Sequence, residues 1–443
     1  MKWLLTLLLV TSTAQATSSI RKVYVKNIDE IAIEYIQLSL AMTPHDSSFV
    51  DAYYGPAQFQ ENAQKTPLSL EDIKSKAKIM LAALNHQPAP EANSMQALRI
   101  AYLQKQTIAM LGRIDLLQGK KMSFDQESAV LYDTVAPHYD RQHFEAIIKQ
   151  IDALLPGPGS TVERVNAFRS QFIIPRDKLM VVFETAIQAC REQTLKHISL
   201  PEGENFKLEF VTGKVWSGYN WYKGKYQSLI QINVELPIYI ERAIDIGCHE
   251  GYPGHHTYNV LLEKNLVNER KWLEYSVYPL FSPQSLIAEG SANYGVEMAF
   301  PAALKKSFQR DVLYPLAGIN PALLDKYDAL LQLTSQLSYA GNEAARNYLD
   351  GKMSREQAIQ WLIDVELYPV EKAPQRISFY DANRSYVINY NVGKDLVKDY
   401  VEYSSRNAST EPAKTDLRWQ VFEQLLSTPL LPSNLKVVSK PEK

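Results

Sequence analysis

Three of the eight histidines in the chain fall within eight residues, at His249, His255 and His256. Glu250 directly follows the first of them. A neutral imidazole is a common ligand of zinc, and a carboxylate beside a zinc-bound water can serve as a general base. This cluster therefore predicts a site that holds one zinc ion per chain, with Glu250 as the base that activates a water molecule.

The spacing of the cluster differs from the H-E-x-x-H pattern of zinc peptidases, because Pro253 stands four residues after His249. On a regular helix His255 would lie about 120° from His249 around the axis. His256 would share the face of His249 but lie about 10.5 Å further along. Pro253 removes a helical hydrogen bond, and Gly254 can adopt backbone angles closed to other residues. We therefore expect a break or bulge that brings His255, or less readily His256, to the position of the second ligand.

The third protein ligand is expected on the next helix, which Ser282-Pro283 opens as an N-cap followed by proline. On this helix Glu289, Asn293 and Glu297 share one face at steps of four residues. A zinc site with two histidines needs a third protein ligand and an open position for water. Glu289 is the first choice because the small residues beside it permit close helix packing, and Glu297 is the alternative. Asn293 is expected to support the ligands by hydrogen bonding.

Other polar residues are candidates for roles around the metal. Asp245 lies four residues before His249 on the same helical face, where it could bind the second ring nitrogen of that histidine. An ordinary exposed aspartate is an equal alternative. Hydrolysis at zinc also needs a donor for the developing oxyanion. A later tyrosine-rich segment offers Arg384, Tyr386 and Tyr390 for that role or for binding a substrate carboxylate.

The elements that must position these residues are mainly helical. Capping-box patterns at Ser69, Ser123 and Ser160 open helices in the first half of the chain. Apolar residues recur at helical spacing through most of the remaining sequence. The predicted fold class is therefore mainly α, with one large helical domain.

A small β-sheet is expected immediately before the metal-binding helix. Phe206–Val211 alternates as a strand would, Ser228–Leu236 is a second β-like run, and Asn220–Lys225 contains a turn. Pro237 then opens the metal-binding helix. An edge strand in this place could bind an extended peptide through main-chain hydrogen bonds. A structural hairpin that covers the core explains the same pattern equally well.

The composition is that of a folded globular protein, since 46% of the 443 residues are hydrophobic and 22% are charged. The net charge of -2 gives no electrostatic case for binding nucleic acid or an anionic membrane. Residues 1–16 have the pattern of a signal peptide, with Lys2, an apolar run and an A-x-A cleavage site. The mature chain is therefore expected to be exported, either periplasmic or secreted, without a membrane anchor.

The sequence contains two cysteines, Cys190 and Cys248, which are too few for a disulfide scaffold. They could pair in an oxidising compartment, but the sequence leaves the pairing open. On a helix Cys248 would point about 100° away from His249. This direction favours a buried small residue over a metal ligand.

These motifs together resemble a family of exported bacterial proteins of unknown function that carry an H-E-x-x-P-G-H-H signature. The signature here is His249–His256, followed downstream by Ala288–Tyr294. Further matches are Asp51–Pro56, Trp216–Tyr222 and Arg384–Tyr390. The family is regarded as one of zinc metallopeptidases, distantly similar to the mostly helical thermostable carboxypeptidases.

The resemblance implies a mainly α-helical fold with a deep cleft, and a zinc-dependent peptidase activity. It covers nearly all of the mature chain, so one zinc-peptidase-like domain is expected over 17–443. That domain would consist of a helical part 17–200, an active-site part 201–430 and a polar tail 431–443. Ser291 replaces a tryptophan that is common in the family, so the shape of the pocket is expected to differ.

The leading hypothesis is an exported zinc metallopeptidase that acts on a peptide or small amide substrate. His249, His255 and Glu289 are expected to bind zinc, and Glu250 to move the proton of the attacking water. One alternative is a non-catalytic peptide-binding protein on a degenerate peptidase scaffold, which the altered histidine spacing favours. Another is a hydrolase of non-peptide amides, because the metal machinery does not choose the acyl group. The oligomeric state does not follow from the sequence.

Overall fold

The computed structural model describes residues 27–214 and 216–436. The predicted signal peptide 1–16 and the end of the predicted tail, 437–443, lie outside the described residues. Helices make up most of the described chain, which confirms the mainly α fold class. Within the described ranges, no helix combines the length and the apolar character that crossing a bilayer requires.

The helices up to the histidine cluster are α1 (Ile28–Ala41), α2 (Ala57–Lys65), α3 (Leu70–Asn85), α4 (Met95–Leu117), α5 (Phe124–Tyr132), α6 (Arg141–Leu154), α7 (Thr161–Arg169), α8 (Leu179–Leu195), α9 (Glu241–Ile246) and α10 (His255–Leu262). Those that follow are α11 (Pro283–Ala299), α12 (Ala302–Phe308), α13 (Tyr314–Ala317), α14 (Leu324–Ser335), α15 (Ser338–Leu349), α16 (Arg355–Asp364), α17 (Ala373–Asn383), α18 (Ile388–Ser405), α19 (Glu411–Leu426) and α20 (Pro432–Leu435). Segments of π-helix occur at Gly247–Gly251, Glu263–Glu269 and Gln309–Leu313.

The predicted helix starts follow from their capping residues. The hydroxyls of Ser69, Ser123 and Ser160 each accept a hydrogen bond from the backbone N–H three residues later, and so open α3, α5 and α7. The start of α11 after Ser282 is also confirmed. The Ser282 hydroxyl, however, donates to the carbonyl oxygen of Pro279 at 2.7 Å instead of capping the helix.

The strands are β1 (Val50–Tyr53), β2 (Asn205–Val211), β3 (Gly218–Gly224), β4 (Gln227–Asn233) and β5 (Val277–Pro279). β1 and β5 form an antiparallel pair. The other three form one sheet in the order β2–β4–β3, in which β2 and β4 are parallel and β3 and β4 are antiparallel. β3 is therefore an edge strand of that sheet.

The structure corrects two local predictions around this sheet. The segment Asn220–Lys225, predicted to contain a turn, is mostly strand β3, and the turn follows at Lys225 and Tyr226, where φ is positive. The metal-binding helix begins at Glu241 as α9 and not at Pro237. Proline at 237 does not start the helix because the chain first pairs Tyr239 with Ile173 in an isolated β-bridge.

Buried apolar side chains form two clusters, and α11 belongs to both. The first cluster joins α1, α3, α4 and α5 to α15–α20, and the second joins α6–α9 to α13 and α14. Leu286 and Tyr294 of α11 lie in the first cluster, whereas Val296 lies in the second. α11, the helix that was expected to carry the third ligand, therefore packs against both apolar clusters.

The predicted polar tail is partly packed. Its described residues include α20, whose Leu435 belongs to the first apolar cluster. The division of the mature chain into the parts 17–200, 201–430 and 431–443 stays a prediction.

Candidate metal centre

The helix that carries the histidine cluster is broken, as the Pro-Gly pair predicts. α9 passes into the π-helix Gly247–Gly251, the chain turns through a cis peptide bond between Tyr252 and Pro253, and α10 begins at His255. The Gly254 N–H donates to the carbonyl of Cys248 at 3.0 Å. A Cβ atom on Gly254 would lie 1.8 Å from the carbonyl oxygen of His249, so the turn requires glycine.

This break brings His255, and not His256, to the side of His249. The two imidazole rings lie 4.7 Å apart between centroids with an interplanar angle of 90°. His249 Nε2 lies 3.3 Å and His255 Nε2 lies 3.7 Å from Glu289 Oε2. Ligand atoms of a tetrahedral zinc site lie about 3.3 Å from each other. The group His249, His255 and Glu289 therefore has nearly the spacing that a zinc ion requires.

Two carboxylate atoms at this centre are buried and poorly satisfied. Glu250 Oε2 has no hydrogen-bond partner, and Glu289 Oε2 has only the imidazoles of His249 and His255 beside it, at 3.3 and 3.7 Å. A buried carboxylate oxygen in this state carries a large desolvation cost. A cation between the histidines and Glu289, with a water beside Glu250, would satisfy both atoms, so the residues fit a metal ion.

The charges at the centre are coupled. Burial opposes ionisation of Glu289, but the hydrogen bond from His249 and the charge of His255 outweigh burial and lower the pKa of this carboxyl group. For His255, burial lowers the pKa and the Glu289 carboxylate raises it, with a net pKa of about 9. Metal binding requires neutral imidazole, so the ion would displace a proton from His255. Burial raises the pKa of Glu250, while the charges of His249 and His255 act in the opposite direction.

Asn293 lies within hydrogen-bond distance of His249, whereas Asp245 pairs with a lysine instead. Asn293 Oδ1 lies 3.0 Å from His249 Nδ1, and Asn293 Nδ2 donates to the carbonyl of Tyr390 at 2.9 Å. Asp245 instead accepts a hydrogen bond from Lys305 Nζ at 2.8 Å. The π-helical turn rotates the chain after α9, so the four-residue spacing between Asp245 and His249 does not place them together.

The alternative ligands are engaged elsewhere. His256 is fully buried, with Ser228 Oγ at 2.8 Å from its Nδ1 and Glu204 Oε2 at 3.0 Å from its Nε2. Glu297 forms ion pairs with Lys394 and Lys398. Both residues therefore stabilise the packing around the centre and do not face the metal position.

Of the three candidate donors, the two tyrosines lie at the centre and the arginine does not. The Tyr386 hydroxyl donates to Glu289 Oε1 at 2.8 Å, and the Tyr390 ring lies 5.8 Å from that of Tyr386. Burial raises the pKa of both phenols well above the usual value, so both remain protonated donors. Arg384 donates to Glu127 Oε2 at 2.6 Å, at the end of α17.

A close helix contact explains how the tyrosines reach Glu289. α11 packs against α18 at two glycines, and a Cβ atom on Gly290 would lie 2.3 Å from the carbonyl oxygen of Gly393. No other residue type permits this approach of two backbones. The small residues beside Glu289 therefore bring the segment with Tyr386 and Tyr390 against the ligand.

Asp51 is the site residue that the sequence did not single out. It lies on β1, accepts a hydrogen bond from the Tyr219 hydroxyl, and acts electrostatically on His255, Glu250 and Glu289. Burial raises the pKa of Asp51 to about 6. In the sequence Asp51 is only the first residue of the Asp51–Pro56 match, and its acid has no assigned role there. Nothing in the local pattern indicates that β1 pairs with β5 beside the metal centre.

The edge strand β3 lies directly against the candidate base. A Cβ atom on Gly218 would lie 2.8 Å from Glu250 Oε1, and Asn220 Nδ2 donates to the carbonyl of Glu250 at 2.8 Å. The edge strand of the sheet predicted from the sequence therefore borders the metal centre. Gly218 on this strand leaves space beside Glu250.

Cys190 and Cys248 form a disulfide bond between α8 and the π-helical turn. Both cysteines are fully buried. The expectation that Cys248 is a buried residue and not a ligand agrees with this position, and the pairing that the sequence left open is resolved. The bond ties the residue next to His249 to a neighbouring helix.

Comparisons with known proteins give distant similarities. No profile of a known protein family and no curated protein matches the sequence. A presumed lipoprotein from Colwellia psychrerythraea is 14% identical, with a TM-score of 0.47 over 89% of this chain and 74% of that chain. A presumed lipoprotein of unknown function from Shewanella oneidensis is 14% identical, with a TM-score of 0.44 over 83% of this chain and 75% of that chain.

A carboxypeptidase from Deinococcus radiodurans is 10% identical, with a TM-score of 0.43 over 89% of each chain. Structural similarities this distant do not support an inference about activity. The family resemblance of the sequence motifs therefore stays a prediction.

Proposed function

We propose that this protein is an exported zinc-dependent hydrolase of peptide bonds. The observation that carries the proposal is the convergence of His249, His255 and Glu289 next to Glu250. Two neutral nitrogen ligands and one carboxylate leave a fourth position for water, as in catalytic zinc sites. Glu250 Oε2 is buried without a hydrogen-bond partner, so it does not stabilise the fold through a hydrogen bond. This supports a chemical role for Glu250.

Zinc bound to these three residues would supply a Lewis acid and lower the pKa of water at its open position. Glu250 then accepts a proton from the water that attacks the carbonyl carbon. The same carboxyl group passes this proton to the nitrogen when the C–N bond breaks. Tyr390 remains protonated, so its hydroxyl can donate to the oxygen of the scissile carbonyl as it gains negative charge. Tyr386 can do the same only when its single O–H turns away from Glu289 Oε1.

A protein that only binds peptides is the alternative from the sequence, and the site gives less support to it. The altered spacing of the histidines favoured that alternative. The π-helical turn compensates for the spacing, since His255 reaches the side of His249. A binding protein also has no need for a buried unpartnered acid at Glu250.

Export is part of the proposal. A buried disulfide between Cys190 and Cys248 is typical of proteins that fold in an oxidising compartment. The signal-peptide pattern over residues 1–16 supports the same localisation. We therefore propose a periplasmic or secreted protein.

The test combines metal content with peptide hydrolysis on tag-free mature protein. Wild type should contain about one zinc per chain by elemental mass spectrometry, and His249→Ala should lose it. Glu250→Gln should keep the zinc but lose at least about 100-fold in kcat. Glu297→Gln is the matched control, because it removes a carboxylate that faces Lys394 and Lys398.

The outcomes separate the steps of the proposal. Wild type without zinc, even after incubation with zinc, would refute the metal centre. Zinc together with an unchanged rate for Glu250→Gln would refute the role of the base. Equal loss of activity in Glu250→Gln and Glu297→Gln would indicate a general loss of structure.

A further inference from the structure

The backbone at Arg384 has a conformation that arginine seldom adopts. Between α17 and α18 this residue has a φ of 51° and a ψ of -124°. Steric contacts of the Cβ atom close this region to most residues, and glycine is the usual residue there. A residue with a side chain keeps such a conformation only when the surrounding structure holds it. The turn at Arg384 therefore needs contacts that compensate for its strain.

Glu127 of α5 provides those contacts and is itself buried. Glu127 Oε2 accepts a hydrogen bond from Arg384 Nε at 2.6 Å. Glu127 Oε1 accepts from the Ser385 backbone N–H at 3.1 Å and from the Ser385 hydroxyl at 2.7 Å. Hydrogen bonds to a charged acceptor are among the strongest in proteins. One carboxylate thus holds two successive residues of the turn, although it stands 257 positions before Arg384 in the sequence.

The turn leads directly to a side chain of the metal centre. Only Ser385 separates Arg384 from Tyr386, whose hydroxyl donates to Glu289 Oε1 at 2.8 Å. A rotation about φ or ψ at one residue moves everything that follows it, so a relaxed turn would move this hydroxyl away from Glu289. The ring of Tyr132, also on α5, lies 6.0 Å from the Tyr386 ring. α5 therefore contacts both the turn and the tyrosine after it.

Strain elsewhere in the described chain does not have to be linked to a buried acid. Lys271 also has a positive φ, of 62°, but its side chain is exposed. Its ammonium group donates to the backbone carbonyl of Asn268 at 2.7 Å. Lys271 therefore offers a comparison in which the same kind of backbone strain occurs without a buried carboxylate.

We propose that Glu127 positions the Tyr386 hydroxyl on the metal ligand Glu289 through the turn that precedes Tyr386. This inference rests on the proposed zinc-dependent function and adds a positioning residue to its metal centre. Hydrogen bonds behind the ligands orient them, and their loss lowers metal affinity by about 10- to 100-fold. Glu127 acts through the turn and not on the ligand itself, so we expect the lower end of that range.

The experiment separates the strain of the turn from the loss of charge. In Glu127→Gln the amide oxygen can still accept from Ser385, but the amide N–H₂ group opposes Arg384 Nε, since both are donors. The double variants Glu127→Gln/Arg384→Ala and Glu127→Gln/Arg384→Gly lack both charges. They differ by a single methyl group at the strained position. Lys271→Ala and Lys271→Gly form the matched control pair.

The first measurement is the ¹⁹F resonance of 3-fluorotyrosine incorporated at position 386 of the full mature chain, with and without zinc. Wild type should give one narrow resonance. Glu127→Gln and the double variant with alanine should give a shifted or broadened one, because the turn relaxes. The double variant with glycine should regain the wild-type resonance, because glycine adopts the conformation at 384 without being held there.

Zinc affinity, measured by competition with a chelator, should follow the resonance. We expect a loss of about 10-fold in Glu127→Gln and in the double variant with alanine. The double variant with glycine should stay within about 3-fold of wild type, and kcat should show the same order among the variants. The Lys271 pair should differ in thermal stability alone, because the strain at 271 does not act on Tyr386.

Two results would overturn the inference. One is a wild-type resonance and zinc affinity in Glu127→Gln, which would assign Glu127 to packing. The other is the same resonance in both double variants, since the strain at 384 would then have no effect on Tyr386. Should Glu127→Gln fail to fold, the two double variants decide the question, because neither buries one charge of the pair without the other. A wild-type protein that binds no zinc would refute the metal centre, but the resonances without zinc would still test the role of Glu127.

Discussion

The two halves of the candidate metal centre are built in opposite ways. α11, which carries Glu289 and Asn293, is one regular helix of 17 residues held between two apolar clusters. The half with His249 and His255 changes from α-helix to π-helix, then to a turn and back to α-helix within a short segment. A disulfide bond and a neighbouring edge strand hold this second half in place.

The difference shows two ways of fixing a ligand. In α11 the helical period fixes the direction of the side chains, and close packing fixes the helix. In the histidine segment the period is lost, so contacts made by individual residues must fix the direction instead. We expect the two halves to respond differently to substitution, and the following changes test that comparison.

The largest effect is expected from the disulfide. Replacing Cys190 and Cys248 together with alanine should lower the free energy of unfolding by about 4 kcal/mol, because the bond links residues 58 positions apart. Zinc affinity should fall as well, since the bond holds the turn next to His249. Urea unfolding and competition with a chelator measure the two effects.

Wild type reduced with a phosphine provides the control for the disulfide variant. Reduced wild type should resemble the double variant in both measurements. Equal stability of the oxidised wild type and the double variant would show that the histidine half does not depend on the cross-link.

A smaller effect is expected from the packing of α11. In an isolated helix, Gly290→Ala should stabilise by about 1 kcal/mol. Here a Cβ atom would lie 2.3 Å from the Gly393 carbonyl oxygen, so we expect a net destabilisation of about 2 kcal/mol. Thermal unfolding shows whether Gly290→Ala stabilises or destabilises the protein. Ser291→Ala, on the same helix, is the control and should change stability by less than about 1 kcal/mol.

A gain in stability for Gly290→Ala would contradict the close contact. It would indicate that α18 can move away from α11 at no cost. Peptide hydrolysis by the variant would then show whether Tyr386 and Tyr390 still reach the centre.

The smallest of the three effects concerns the link between the halves. Asn293→Ala removes the partner of His249 Nδ1 and should weaken zinc binding about 10-fold, with little change in stability. Asn265→Ala removes a comparable amide that bonds to the carbonyl of Leu261, and it should bind zinc as wild type does. Unchanged affinity in Asn293→Ala would mean that the disulfide and the turn orient His249 without α11.

The same contrast explains what the sequence could predict. Glu289 and Asn293 were predicted to lie together because they are four residues apart, and residues at that spacing share one face of a regular helix such as α11. Sequence patterns also indicated the break after His249 and favoured His255 over His256, but they left His256 open, since the choice depends on the geometry of a π-helical turn. Asp245 failed as a partner of His249 for the same reason.

Long-range pairing accounts for the remaining differences. Asp51 reaches the centre because β1 pairs with β5, which a local pattern does not reveal. Arg384 was a candidate donor because it lies close to Tyr386 in the sequence. In the structure its side chain instead donates to Glu127, which lies on a helix far away in the sequence. Residues whose role depends on a partner far away in sequence therefore need the structure.

The pairing of β1 with β5 also has a consequence for the order in which the protein matures. Asp51 is made early, the histidines and Glu289 follow, and Tyr386 and Tyr390 come near the end of the chain. A growing chain therefore presents no complete centre, and the contacts that assemble it must close long loops. The full set of side chains around the metal position therefore comes together only after segments from the beginning, the middle and the end of the chain have packed against one another.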